Sequence, residues 1–180
     1  MTKATHSVDL AKLAGKRPVY GEYLVMDGEG NVITCIHNFL TYAGASIFAK
    51  LVAGTLQASA WHVGMLSGPV NKGDTETAHA WTEPTRAQGY SRQACAISEI
   101  VDTTLSEQPA TVVVFAPVTF SCGADNEAWD KAYSHSFLVM TDNAAEPKTE
   151  VVSIGSQLPS PVRLLPGGNY QTAYRLYFMT

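Results

Sequence analysis

Cys35 and His37 come nearest to chemistry by type and spacing: strand alternation puts thiol and imidazole on one face, as a thiolate–imidazolium pair or two metal ligands would require. A buried cysteine beside a hydrogen-bonded histidine uses the same two residues, and Asn38 follows directly to satisfy the backbone at a strand-to-helix junction. The pair is therefore read as structural. The histidines His6, His37, His62, His79 and His135 form no HxH or HExxH spacing. Asp125, Glu127 and Asp130 beside Trp129 offer hard oxygen ligands to calcium, but they are read in preference as a solvated polar loop. The segment Asp27-Gly28-Glu29-Gly30-Asn31 lacks the EF-hand spacing and its closing glutamate, and Gly28-x-Gly30 has no helix placed to receive a phosphate. GxSxG, P-loop and kinase signatures are absent from the sequence. No catalytic residue, metal or cofactor is expected.

The elements that must position these side chains are clearest between Tyr20 and Gly54. β-branched and aromatic residues over 20 to 26 and 31 to 37 flank the glycine-bearing turn at 27 to 30, which predicts a β-hairpin. Thr41 is placed to cap a helix whose Leu40, Ala43, Ile47, Phe48, Leu51 and Val52 recur near i, i+3, i+4, and Gly54 suits the left-handed position that closes it. Further strands are expected at 60 to 66, 92 to 101, 136 to 141 and 151 to 154. Residues 111 to 120 carry the highest β-propensity, and Pro117 inside them implies an edge, a bulge or two short strands meeting at a corner. A short helical turn opened by Asp125 is expected within 123 to 132. Residues 162 to 165, the Pro166-Gly167-Gly168-Asn169 turn and 170 to 178 read as a second hairpin, with Tyr170, Thr172, Tyr174, Leu176 and Phe178 on one face.

Residues 71 to 89 read as a long loop around Trp81, and a loop of that length in a compact domain has a binding or packing role. Trp81 and Tyr90, in this glycine- and proline-punctuated region, are candidates for subunit contacts; covering their own sheet is the other role open to them.

With 180 residues, 46% hydrophobic and 16% charged, the chain suits one soluble globular domain and not a disordered one, and no apolar run approaches the ~20 residues of a membrane helix. No apolar leader follows Met1-Thr2-Lys3, so synthesis in a cytoplasm is expected. Cys35, Cys95 and Cys122 are odd in number and lack CxxC spacing, which argues against a disulfide framework or zinc site. Residues 1 to 17 hold Lys3, Lys12, Lys16 and Arg17 against Asp9, a balance of +3, whereas the remaining 8 basic and 15 acidic residues give −7. A basic arm thus precedes an acidic body that would repel nucleic acid. The arm either lies along an acidic protein surface or serves only as a solubilising terminus.

About eight short strands, one real helix and Gly/Pro-rich turns predict a mainly β protein: an antiparallel two-sheet sandwich, jelly-roll-like, with one α-helix and an extended N-terminal arm. The domain division is an arm at 1–17 and a single β-sandwich domain at 18–180. Parallel α/β architecture is disfavoured.

Three stretches together resemble a family: the hairpin running through His37-Asn38-Phe39-Leu40-Thr41 into Ala43-Gly44; Trp61-His62-Val63-Gly64-Met65 through Gly73-Asp74-Thr75 to Trp81-Thr82-Glu83; and Ser136-Phe137-Leu138-Val139-Met140-Thr141 with Leu165-Pro166-Gly167-Gly168-Asn169 before a terminal aromatic strand. The chain resembles, over roughly 19 to 178, small structural proteins encoded near the capsid genes of tailed bacteriophages. The basic arm and the proline-rich 158 to 166 depart from that pattern. The resemblance implies a virion structural protein, above all a head decoration (cement) protein: no enzyme, but a homo-oligomer, dimer or trimer, assembled in the host cytoplasm onto major capsid protein, with no direct contact to nucleic acid or membrane. Lys3, Lys12, Lys16, Arg17, Trp81 and Tyr90 are the expected partner contacts. A neck, tail or fibre-anchoring protein is the alternative, and a carbohydrate-binding module with tryptophans stacked on sugar is a further one.

Overall fold

The computed structural model describes residues 19–27, 29–56, 60–67, 83–105, 107–129, 133, 135–140, 151–155 and 162–179. The arm at 1–17 lies outside them. Val19–Met26 (β1) and Val32–Leu40 (β2) form the expected antiparallel hairpin, with Glu22 opposite His37 and Leu24 opposite Cys35. Asp27 organises its turn: one carboxylate oxygen accepts the backbone N–H groups of Glu29 at 2.9 Å and Asn31 at 2.8 Å. Gly30 takes the left-handed φ of 83° there.

Helix α1, Tyr42–Val52, follows at once. Thr41 accepts the Gly44 N–H at 2.9 Å, the N-cap expected of it. At the other end Gly54 (φ 68°) donates to the Leu51 carbonyl at 3.1 Å and Thr55 to Lys50 at 3.0 Å, the paired bonds of a Schellman motif. Ile47 is buried, and Phe48 and Leu51 pack on the same core. Val52, which the periodicity assigned to the apolar face, is instead 90% exposed.

The remaining strands are Trp61–Leu66 (β3), Gln93–Ala94 (β4), Ile97–Leu105 (β5), Gln108–Phe115 (β6), Val118–Ser121 (β7), His135–Met140 (β8), Val151–Gly155 (β9) and Asn169–Met179 (β10). Every described ladder is antiparallel. Pro117, which has no N–H to donate, separates β6 from β7, and β10 pairs with both.

Three expectations are corrected. Residues 162 to 165 form no strand: only Val162 bridges, to Tyr133, and Gly167 N–H and Cys122 carbonyl join at 2.7 Å, so β7 rather than 162–165 becomes the first partner of β10. Among the described residues of 123 to 132, a turn at 124–126 replaces the helical segment, since the Glu127 and Trp129 amides bond Ala87 and Leu164 instead. The single strand expected over 92 to 101 is interrupted at Cys95-Ala96.

That interruption closes the fold. The strands run β4-β3-β8-β9-β2-β1-β10-β6-β5 in one hydrogen-bonded order, with β7 beside β10. The outermost members, β4 and β5, are consecutive in the chain. Cys95 N–H donates to Trp61 at 2.9 Å and Ala96 accepts from Ala116 at 2.8 Å, so one chain segment changes partner from β3 to β6 within two residues. The array therefore curls on itself. Trp61 of β3 meets Phe115 of β6 edge to face, ring centroids 5.5 Å apart, although five strands of the order lie between β3 and β6. Tyr23, Val63, Met65, Phe120, Trp129 and Tyr174 fill the enclosed core. The protein is mainly β with one helix, and its sheet is antiparallel throughout the described residues.

Gly44 sets how closely α1 approaches this wall. A Cβ there would collide with the carbonyl oxygen of Val152 in β9 and lie 2.8 and 2.9 Å from its carbonyl carbon and Cα. Helix propensity alone favours Gly44→Ala by about 1 kcal/mol. The backbone collision reverses that sign, and a net loss of about 1–3 kcal/mol is expected in urea denaturation.

Candidate functional site

Two polar clusters interrupt the apolar packing. The first lies on the outer face of β1, β2 and β10. Tyr23 points inward, its ring 4.5 Å from its cross-strand partner Tyr174, so alternation sends Glu22 to the opposite face. There Glu22 is flanked by His37 on one neighbouring strand and Arg175 on the other. Although carboxylates are rarely buried, Glu22 is only 5% exposed, and it accepts the Tyr177 hydroxyl at 2.7 Å. His37 Nδ1 stands 3.9 Å from its other oxygen.

Cys35 joins the cluster through a hydrogen bond to Glu22. Burial and then the adjacent carboxylate push its thiol up to about 12, against a smaller opposing effect of Arg175. The same causes raise the Tyr177 phenol well above its ordinary value. The thiol thus stays protonated at neutral pH, where only a thiolate would attack. Sequence spacing correctly put Cys35 and His37 on one face; Glu22 and Arg175 were missed, since their approach depends on two separate strand registers.

The second cluster ties the segment 83–92 to β3. Tyr90 is 7% exposed, its ring stacked on Phe120 at 5.8 Å. Its hydroxyl donates to Glu83 at 2.8 Å and accepts the Met65 N–H at 3.0 Å. Arg92, also buried, grips the same carboxylate with two nitrogens, Nε at 3.0 Å and Nη2. Nearby His62 is pushed toward its neutral form, first by burial and then by the Arg92 charge. The turn Arg86–Gln88 is held by Thr85, whose N–H donates to Gln88 Oε1 at 2.7 Å, and Gln88 in turn donates to Ala128 at 3.0 Å. Trp129 Nε1 closes the lock on the Gln88 carbonyl at 3.1 Å.

These contacts are structural in kind, each satisfying a buried group. Tyr90, expected among the partner contacts, takes the other role left open to it and covers its own sheet; almost none of its side chain is left to offer a partner. Lys3, Lys12, Lys16, Arg17 and Trp81 lie outside the described residues. Asp125 and Glu127 are exposed, and among the described residues no group of three His, Cys, Asp or Glu is placed to hold a metal. Asp27 is held below the usual carboxylate range chiefly by the Asn31 side chain, as part of its turn. Comparison with protein-family models, curated proteins and solved structures finds no match to the chain.

Tyr90→Phe removes an acceptor from the buried Met65 N–H and a donor from Glu83, so a loss of about 1–3 kcal/mol is expected by thermal or urea unfolding. The thiols give a pH signature. Cys35 and Cys95 both rise from 9.0 to about 12 on folding. Between those values the unfolded chain has released protons that the native chain retains, so stability falls as pH rises through that window. Native protein at pH 7.5 should label with iodoacetamide at both sites far more slowly than urea-unfolded protein.

Proposed function

We propose that the protein is a structural component of a tailed-bacteriophage particle: a head decoration (cement) protein that binds the outside of the capsid and holds neighbouring major capsid protein subunits together. Its working location is the virion surface, reached by assembly in the host cytoplasm, and its action is mechanical rather than enzymatic. In this reading the curled antiparallel array is a flattened jelly-roll sandwich. The motif resemblance supports the assignment, and one structural observation carries it: β5 is a nine-residue strand, exposed along nearly its whole length, hydrogen-bonded among described strands only to β6. Such an edge is a surface made for joining other chains.

Packaged DNA strains a shell from within. A clamp across subunit boundaries adds buried area that must be lost before the subunits part, and attachment at several points makes release of the whole clamp rare. The stiff core built by Trp129, Tyr133, Tyr174 and Phe120 suits a part that transmits load without rearranging.

Purified particles are expected to carry this chain in hundreds of copies, quantified on a gel against the major capsid protein; a few copies per particle would support the neck, tail or fibre-anchoring reading instead. Deleting residues 1–17 should lower occupancy on purified capsids at least tenfold, and undiminished occupancy would exclude the arm from attachment.

A further inference from the structure

We propose that the exposed edge of β5 receives residues 1–17 of a second copy of this chain, so that subunits join by exchanging a basic strand onto an acidic one. This deepens the assembly reading above by naming the surface and its occupant.

The β5 edge is unusual in what it presents. Ile97 is 45% and Ile100 64% exposed, and Ile97, Ile100, Val101, Thr103 and Thr104 give the strand strong β-propensity. Its partner changes sides: before Cys95-Ala96 the chain pairs with β3, and after them only with β6, so from Ile97 onward the side facing away from β6 carries main-chain groups with no described partner. Edges of this length are ordinarily blunted by lysine, proline or a covering loop. β5 contains neither lysine nor proline; its only charges are Glu99 and Asp102.

Those two carboxylates decide what can dock. Residues 93 to 130 contain six acids (Glu99, Asp102, Glu107, Asp125, Glu127 and Asp130) and no Lys, Arg or His. A second β5 laid against the first would add acids to an edge that is already acidic and supply no opposite charge, whereas a basic strand gains about 0.2–1 kcal/mol per opposed pair. The chain owns one segment of the opposite sign. Residues 1 to 17 carry Lys3, Lys12, Lys16 and Arg17 against Asp9. They lie outside the described residues.

Length and geometry favour an arm from a neighbour. Seventeen residues span about 55 Å when extended, and a nine-residue strand needs about 30 Å, which leaves ample chain to bridge between copies. Cross-strand register places Val19, where β1 begins, in one row with Phe178, Thr111 and Asp102. That row is about 14 Å wide at ordinary strand spacing. An arm from the same chain would have to run parallel to β5 and then cross back over the whole row to reach Val19. A neighbour's arm has no such constraint and can pair antiparallel. Each copy then offers one arm and one edge, a head-to-tail contact that closes when the rotation returns to the first subunit.

The test uses the full chain without capsids. Light scattering after gel filtration at low salt should find a closed oligomer that dissociates as salt is raised. A variant carrying Lys12→Glu, Lys16→Glu and Arg17→Glu should be monomeric, as should one carrying Glu99→Lys and Asp102→Lys, each with unchanged circular dichroism. Mixing the two should restore the oligomer. Amide exchange across Ile97–Leu105 should be at least tenfold slower in the wild-type oligomer than in the arm variant. Wild-type protein that is monomeric, variants that keep the oligomer, a mixture that fails to reassociate, or β5 amides equally open in both states would each overturn the proposal. Capsid occupancy is measured separately, so a protein that exchanges arms but never binds a shell would retain this inference and lose the decoration reading.

Discussion

The fold depends on the change of strand partner at Cys95-Ala96. An antiparallel array of this size, left open, would present two unpaired edges and a core accessible from its ends. Because β4 and β5 are two stretches of nearly continuous chain, one paired with β3 and the other with β6, the array is drawn into a ring, and Trp61 is brought against Phe115. Small side chains at the junction let the backbone turn there, and Cys95, 4% exposed, faces into the core it helps to seal. The same segment then leaves the ring with β6, so the strand that closes the interior also furnishes the exposed edge.

Closure fixes an inside and an outside, and alternation then assigns every side chain on the central strands. On β1, Tyr23 goes to the aromatic interior while its neighbour Glu22 goes out among His37, Arg175 and Tyr177. A slip of one residue would bury the carboxylate among the aromatic rings and expose the tyrosine, which makes the register nearly irreversible once chosen. The outer network gives Glu22 the hydroxyl it needs for so enclosed a position. It is thus better understood as the cost-limiting arrangement around a buried charge than as a reaction centre.

The second polar cluster makes the segment 83–92 part of the wall. Glu83 with Arg92 and Tyr90, and Gln88 with Ala128 and Trp129, fasten the described end of the long loop to β3 and to the 123–129 turn. The body is stiffened in this way, while β5 stays exposed along the side facing away from β6.

Features determined by near neighbours were legible in the sequence. The Asp27 turn, the Thr41 cap, the Gly54 closure and the split at Pro117 each rest on bonds or steric limits spanning a few residues, so residue type at a fixed offset suffices. Mainly β character with antiparallel pairing was legible for the same reason. Tertiary structure alone decided the partner change at Cys95-Ala96, the absence of a strand at 162–165, the exposure of Val52, and the packing role of Tyr90, whose hydroxyl serves Met65 from 25 residues away. In each of these the outcome turns on which distant group reaches a backbone or side chain first, and a linear pattern carries no record of that competition.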